Sequence, residues 1–141
     1  MGRTRVYVAG AYSSDNVMGV LENMRKGMRI STDVLVAGYA PFCPWLDYQF
    51  NLMLRDNESL TINDFYEYSM SWLDVSDVVL VVPGWENSKG TITEIERAEQ
   101  QGIPVYYSLE LLKKDVPVDL NTTNCCKQCN KKCCENNKGE E

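Results

Sequence analysis

Glu94 stands six residues after Ser88 in the stretch SDVVLVVPGWENSKGTITEIERA, which runs from Ser76 to Ala98. Its apolar run reads as a buried strand, and the small and polar residues that follow read as a turn into a helix. In open parallel α/β sheets such turns lie at the carboxyl ends of the strands, where helix N-termini offer free N–H groups and a positive dipole end. A carboxylate in the first turn of that helix is expected to stay ionised and to be available as a nucleophile. The alternative is plain compensation of the helix dipole. Gly84 and Gly90, with Gly10 in the turn AGAYSS near the N-terminus, let backbone approach a ligand. Ser13, Ser14, Ser88 and Thr91 add hydroxyls, so the two turns together could cradle a phosphate. Neither turn fits the dinucleotide GxGxxG or the GxxxxGK[ST] pattern, which excludes classical dehydrogenases and P-loop kinases.

These residues need a scaffold. TRVYVAG reads as a first buried strand, and residues 16–37 carry apolar side chains at helical spacing up to Gly38. YAPFCP reads as a short strand confined to an edge by its two prolines. WLDYQFNLMLRDN reads as a short amphipathic helix, and TINDFYEYSMSWLDVS as a longer helix with a capping threonine and an acidic first turn. DVVLVVP is the central strand, TITEIERAEQQG a helix ended by Gly102, and IPVYYS a last strand. Strands alternating with helices predict an α/β fold: a three-layer (αβα), flavodoxin- or Rossmann-like domain with a small, mostly parallel sheet.

The chain has 141 residues, 44% of them hydrophobic, which suits one domain with a core. Its net charge of -6, with no clustered basic patch, argues against a nucleic-acid partner. No apolar run is long enough to span a membrane and the N-terminus enters a strand directly, so the expectation is a cytoplasmic protein. The expected organisation is a domain over residues 1–115 and a polar, Cys-rich tail over 116–141. Five of the six cysteines lie in that tail, unlike the spread framework of a secreted disulfide scaffold. Cys126, Cys129, Cys133 and Cys134 could hold a structural zinc; the alternative is a tail whose thiols form reversible disulfides. The chain has no histidine, which argues against thiol catalysis in the tail.

RVYVAGAY, SDVVLVVPGWENSKGTITEIERA and GIPVYY together resemble the nucleoside 2-deoxyribosyltransferase superfamily, which includes the deoxynucleoside 5'-monophosphate N-glycosidases. The resemblance spans roughly residues 4–107. It implies that Glu94 attacks the anomeric carbon to form a glycosyl ester, which water or a second base resolves. It also implies that Tyr7 steers this carboxylate and that the GAYSS loop meets sugar and phosphate. Ser88 falls where the monophosphate hydrolases use a serine for the 5'-phosphate and the transferases carry an aspartate. A hydroxyl tolerates phosphate whereas a carboxylate repels it, which tilts the substrate toward a nucleotide. The family's second carboxylate would fall at Met70 or Ser69; Glu67 or Asp74, on a similar helix face, are the candidate substitutes. Asp77 reads as structural.

A second likeness, to phosphoribohydrolases with a PGGxGTxxE motif, rests on GTITE alone. The expected function is therefore nucleotide N-glycosidase, the alternatives being nucleoside 2-deoxyribosyltransferase or a protein that binds nucleotides without turnover. Phe42, Trp45 and Tyr48 are expected to stack on the base, although core packing is the ordinary use of such aromatics. No metal or organic cofactor is required for the reaction, and a homo-oligomer is implied by the resemblance.

Overall fold

The computed structural model describes residues 2–119. Four parallel strands form one sheet in the order β2-β1-β3-β4. They are β1 (Arg5–Ala9), β2 (Ala40–Phe42), β3 (Val78–Val81) and β4 (Val105–Tyr106). β1 and β3 are central, and their apolar side chains are buried on both faces, as parallel strands between helical layers require. β2 is an edge strand, as its prolines predict.

Strand alternation divides the core in two. Val6, Val8, Val78 and Leu80 point to one face, where Met24 and Val34 of α1 (Val17–Val36) and Leu112 of α5 (Leu109–Asp115) cover them. Tyr7, Ala9, Val79 and Val81 point to the other, under Met70 and Leu73 of α3 (Ile62–Leu73) and Ile95 and Ala98 of α4 (Lys89–Gln100). The three-layer αβα expectation therefore holds. A short helix, α2 (Tyr48–Leu52), follows a 3-10 turn at Pro44–Asp47.

Local chemistry sets the helix starts. Asn16 caps α1 by accepting from the Gly19 N–H, and Thr61 and Asp64 form a capping box on α3. α5 was not expected. It packs Leu112 into the α1 face, and the Tyr39 hydroxyl donates to the Val116 carbonyl at 2.6 Å. Val116 and Val118 pack on the same core, so the ordered packing passes the expected boundary at residue 115. Among the described residues no helix is long and apolar enough to cross a membrane. Cys126, Cys129, Cys133 and Cys134 lie outside the described residues.

Candidate active site

β1 and β3 lie side by side in register, Ala9 opposite Val81, so the chain leaves both strands at the same level. β2 continues the sheet on one side of β1 and β3 on the other, and such a reversal opens a crevice at the carboxyl ends. A cleft of about 550 Å3 lies there. Gly10, Ser13, Gly84, Ser88, Gly90, Thr91 and Glu94 all line it, as do Tyr12, Asn23, Asn87 and Lys89.

The three glycines serve different ends. A Cβ at Gly10 would lie 2.8 Å from Val82 Cβ, so this glycine serves the protein's own packing. Gly84 adopts φ +89°, the left-handed conformation that turns the chain out of β3. A hypothetical Cβ at Gly84 or at Gly90 would meet nothing within 4 Å.

Ser88 is the N-cap of α4. Its Oγ accepts from the Thr91 N–H at 3.3 Å and from the Thr91 hydroxyl at 2.8 Å. With those acceptor positions occupied, the Ser88 hydroxyl proton remains to donate to a ligand. Among the described residues that line the cleft, Lys89 is the one Lys or Arg. The AGAYSS loop is held by Asn23, whose side-chain amide donates to the carbonyls of Tyr12 and Ser13 at 3.2 Å each. Ser14 is exposed and does not line the cleft.

Glu94 differs from its expectation in two ways. α4 begins at Lys89, so Glu94 falls in the second turn, beyond the free N–H groups of the helix start. Its carboxyl is also not held ionised. Burial pushes it from 4.5 up to about 8, against a smaller opposing pull from the Tyr7 hydrogen bond. The Tyr7 hydroxyl donates to Glu94 Oε1 at 3.1 Å, while Oε2 is buried with no hydrogen-bond partner among the described residues. An orphaned polar atom costs about 1–3 kcal/mol, and such atoms are rare in native folds. Tyr7 is fully buried, and burial followed by the Glu94 charge raises its phenol well above the usual value. Buried Ser69 of α3 lies within hydrogen-bonding reach of the same hydroxyl.

The candidates for a second carboxylate do not gather here. Glu67 is exposed and accepts from Asn63 at 2.9 Å. Asp74 is held by Arg97 through two hydrogen bonds, at 2.9 and 2.7 Å, and the guanidinium keeps its carboxyl below the usual range. It ties α3 to α4 and is ill suited to giving up a proton. Asp77 joins the starts of β1 and β3 through Arg5, away from the cleft.

The aromatics are likewise placed elsewhere. Trp45 is 1% exposed and lies against Gly27, where a Cβ would come within 2.2 Å of the indole. Its Nε1 donates to the Ala11 carbonyl at 3.0 Å, so it supports the cleft loop from the core. Phe42 is stacked between Tyr7 and Trp72, at centroid distances of 5.4 and 5.7 Å. Tyr48 is half-exposed, and none of the three lines the cleft.

Tyr12, Asn23, Asn87 and Lys89 were not singled out from sequence. Lys89 carried a usable signal, a cation at a helix start beside Ser88; Asn23 carried none, because its place depends on how α1 meets the loop.

No curated protein matches the sequence. Among solved structures, the fold is similar to that of a 2-deoxyribosyltransferase from the psychrotolerant bacterium Bacillus psychrosaccharolyticus, with a TM-score of 0.55 and 14% identity. The match covers 84% of this chain and 95% of that one. At this identity the likeness establishes a shared fold. Residues 4–108 match the family described as Domain of unknown function (DUF7768), and the chain belongs to that family.

Proposed function

We propose that the protein cleaves the base–sugar bond of a nucleoside 5'-monophosphate, with Glu94 as the nucleophile. The observation that carries this reading is the Glu94 carboxyl in the cleft, bonded through Oε1 to Tyr7 and bare at Oε2. An oxocarbenium-like transition state is stabilised by a carboxylate set against the sugar ring, and a buried one acts without competing water. Tyr7 holds the carboxyl in one orientation and favours its charged form, and Ser69 supports Tyr7 from α3. Lys89, the Ser88 hydroxyl proton and the open backbone at Gly90 would take the phosphate. The fold likeness to a deoxyribosyltransferase supports glycosyl chemistry in general, with base transfer as the close variant. The reaction needs Glu94 without its proton, so turnover should rise as pH approaches about 8.

One observation favours a second reading, in which the cleft retains nucleotides without turnover. Met70 or Ser69, neither of them an acid, stands on α3 where the resemblance calls for a carboxylate.

The two readings separate on incubation with ribo- and deoxynucleosides and their 5'-monophosphates, with free base followed by chromatography. Base release from monophosphates, lowered more than about 1,000-fold in Glu94→Gln, is the expected result. Lys89→Ala should raise KM for monophosphates about tenfold and leave nucleosides unaffected. Tight binding of a monophosphate with no base released would overturn the enzyme reading in favour of the second.

A further inference from the structure

A neutral base takes a proton as its bond to the sugar breaks, so an N-glycosidase that acts on one needs an acid as well as a nucleophile. Among the described residues that line the cleft, three can titrate: Tyr12, Lys89 and Glu94. Glu94 is the nucleophile and cannot give a proton in the same step. Lys89 is taken up by the phosphate. The Tyr12 hydroxyl donates to Asp47 Oδ1 at 3.2 Å, and burial followed by the Asp47 charge raises its phenol above the usual value. The other polar side chains of the cleft are hydroxyls and amides, which hydrogen-bond a base without losing a proton to it.

The charges of the cleft point the same way. Glu94 Oε2 is buried without a partner, and the carboxyl joins none of the ion pairs among the described residues. A positive charge within about 4–6 Å would favour its ionised form. A cationic ring bonded to C1' stands that close to the oxygen that attacks C1'. Tyr12, the one aromatic residue among the described residues of the cleft, adds a ring of the kind that attracts cations.

We propose that the substrate is a nucleoside 5'-monophosphate with a cationic base, a ring-alkylated purinium or a pyridinium, which brings the counter-charge Glu94 lacks and leaves without a proton. The assignment rests on the glycosidase reading above and narrows its substrate. In the first step an electron pair of Glu94 forms the ester bond to C1', and the C1'–N bond breaks with its pair going to the ring nitrogen. That pair cancels the positive charge of the ring, and the base departs neutral. In the second step water attacks C1', its proton passes to solvent, and the ester bond opens with its pair returning to the Glu94 carboxylate. Each turnover thus releases one proton.

Guanosine 5'-monophosphate and its N7-methyl derivative, which have nearly the same shape and differ in charge, test this in their ribo and deoxy forms. The N7-methyl nucleotide should be cleaved with a kcat/KM at least about 100-fold above that of the neutral one, the contribution of an acid that the cleft does not supply. Nicotinamide mononucleotide provides the pyridinium arm: cleavage of it, of the purinium or of both supports the proposal and identifies the ring. A neutral nucleotide cleaved as fast as its N7-methyl derivative, within about fivefold, would overturn the proposal and leave the glycosidase reading standing. Cleavage of the cationic nucleotide that persists in Glu94→Gln would overturn it as well. A protein that releases base from none of these nucleotides refutes the glycosidase reading itself, and the cationic substrate with it.

Discussion

The two faces of the sheet are built from alternate residues of the same strands and are used differently. On the α1 side the buried polar group Ser31 is satisfied within its own helix, donating to the Gly27 carbonyl at 2.8 Å, and Trp45 fills the space over Gly27. On the α3/α4 side the same kind of apolar layer gives way, toward the strand ends, to Tyr7, Ser69 and Glu94, with one carboxyl oxygen left unpaired. Both faces bury apolar side chains, and the α3/α4 face also carries an internal cost at Glu94, in a place where chemistry can use it. Substituting Trp45 on one face and Glu94 on the other should therefore act on stability with opposite sign.

The largest effect is expected on the apolar face. Trp45→Ala removes a fully packed indole and its hydrogen bond to Ala11, and should destabilise the protein by about 3–5 kcal/mol in urea denaturation. A loss below about 1 kcal/mol would show that this face is not the mainstay of the fold.

On the polar face the sign reverses, and pH reveals it. The folded Glu94 carboxyl holds its proton up to about pH 8, whereas the ordinary value is 4.5. This group's contribution to folding is therefore fully present below pH 4.5 and is lost as pH climbs toward 8. Glu94→Gln, which cannot ionise, should be roughly 2 kcal/mol more stable than its parent at pH 8.5, with the gap narrowing toward pH 4. Parallel stability curves for the two proteins across this range would show that the carboxyl is not desolvated.

The smallest effect is expected where the polar pair is exposed. Asp74→Asn breaks the double hydrogen bond to Arg97 at the protein surface, where solvent screens it. It should lower the melting temperature by no more than about 5 °C and leave base release unchanged. A large loss of base release would return Asp74 to the list of proton donors.

Much of this division was legible in the sequence. DVVLVVP marked the central strand by its unbroken apolar run, the prolines of YAPFCP marked an edge, and Thr61 with Asp64 marked the start of α3. The two turns that line the cleft were legible from their glycines and hydroxyls. The pairing of Tyr7 with Glu94, 87 positions apart, came from the family resemblance and not from spacing. The aromatics misled because size and polarity do not say whether a ring faces a cleft or a helix: Trp45 turned inward because Gly27 leaves room for it. α5 was not expected because LELLKKD is short and meets the core through two leucines, Leu109 and Leu112.

The sequence by itself determined which segments become strands and helices, because apolar period and capping chemistry act over a few residues. It also determined that small polar turns follow β1 and β3. Tertiary structure alone decided that Glu94 is desolvated and that Tyr7 is its partner. Desolvation and electrostatic coupling depend on what surrounds a group in space, and the surroundings of Glu94 come from β1, α3 and α4, which are distant in the chain.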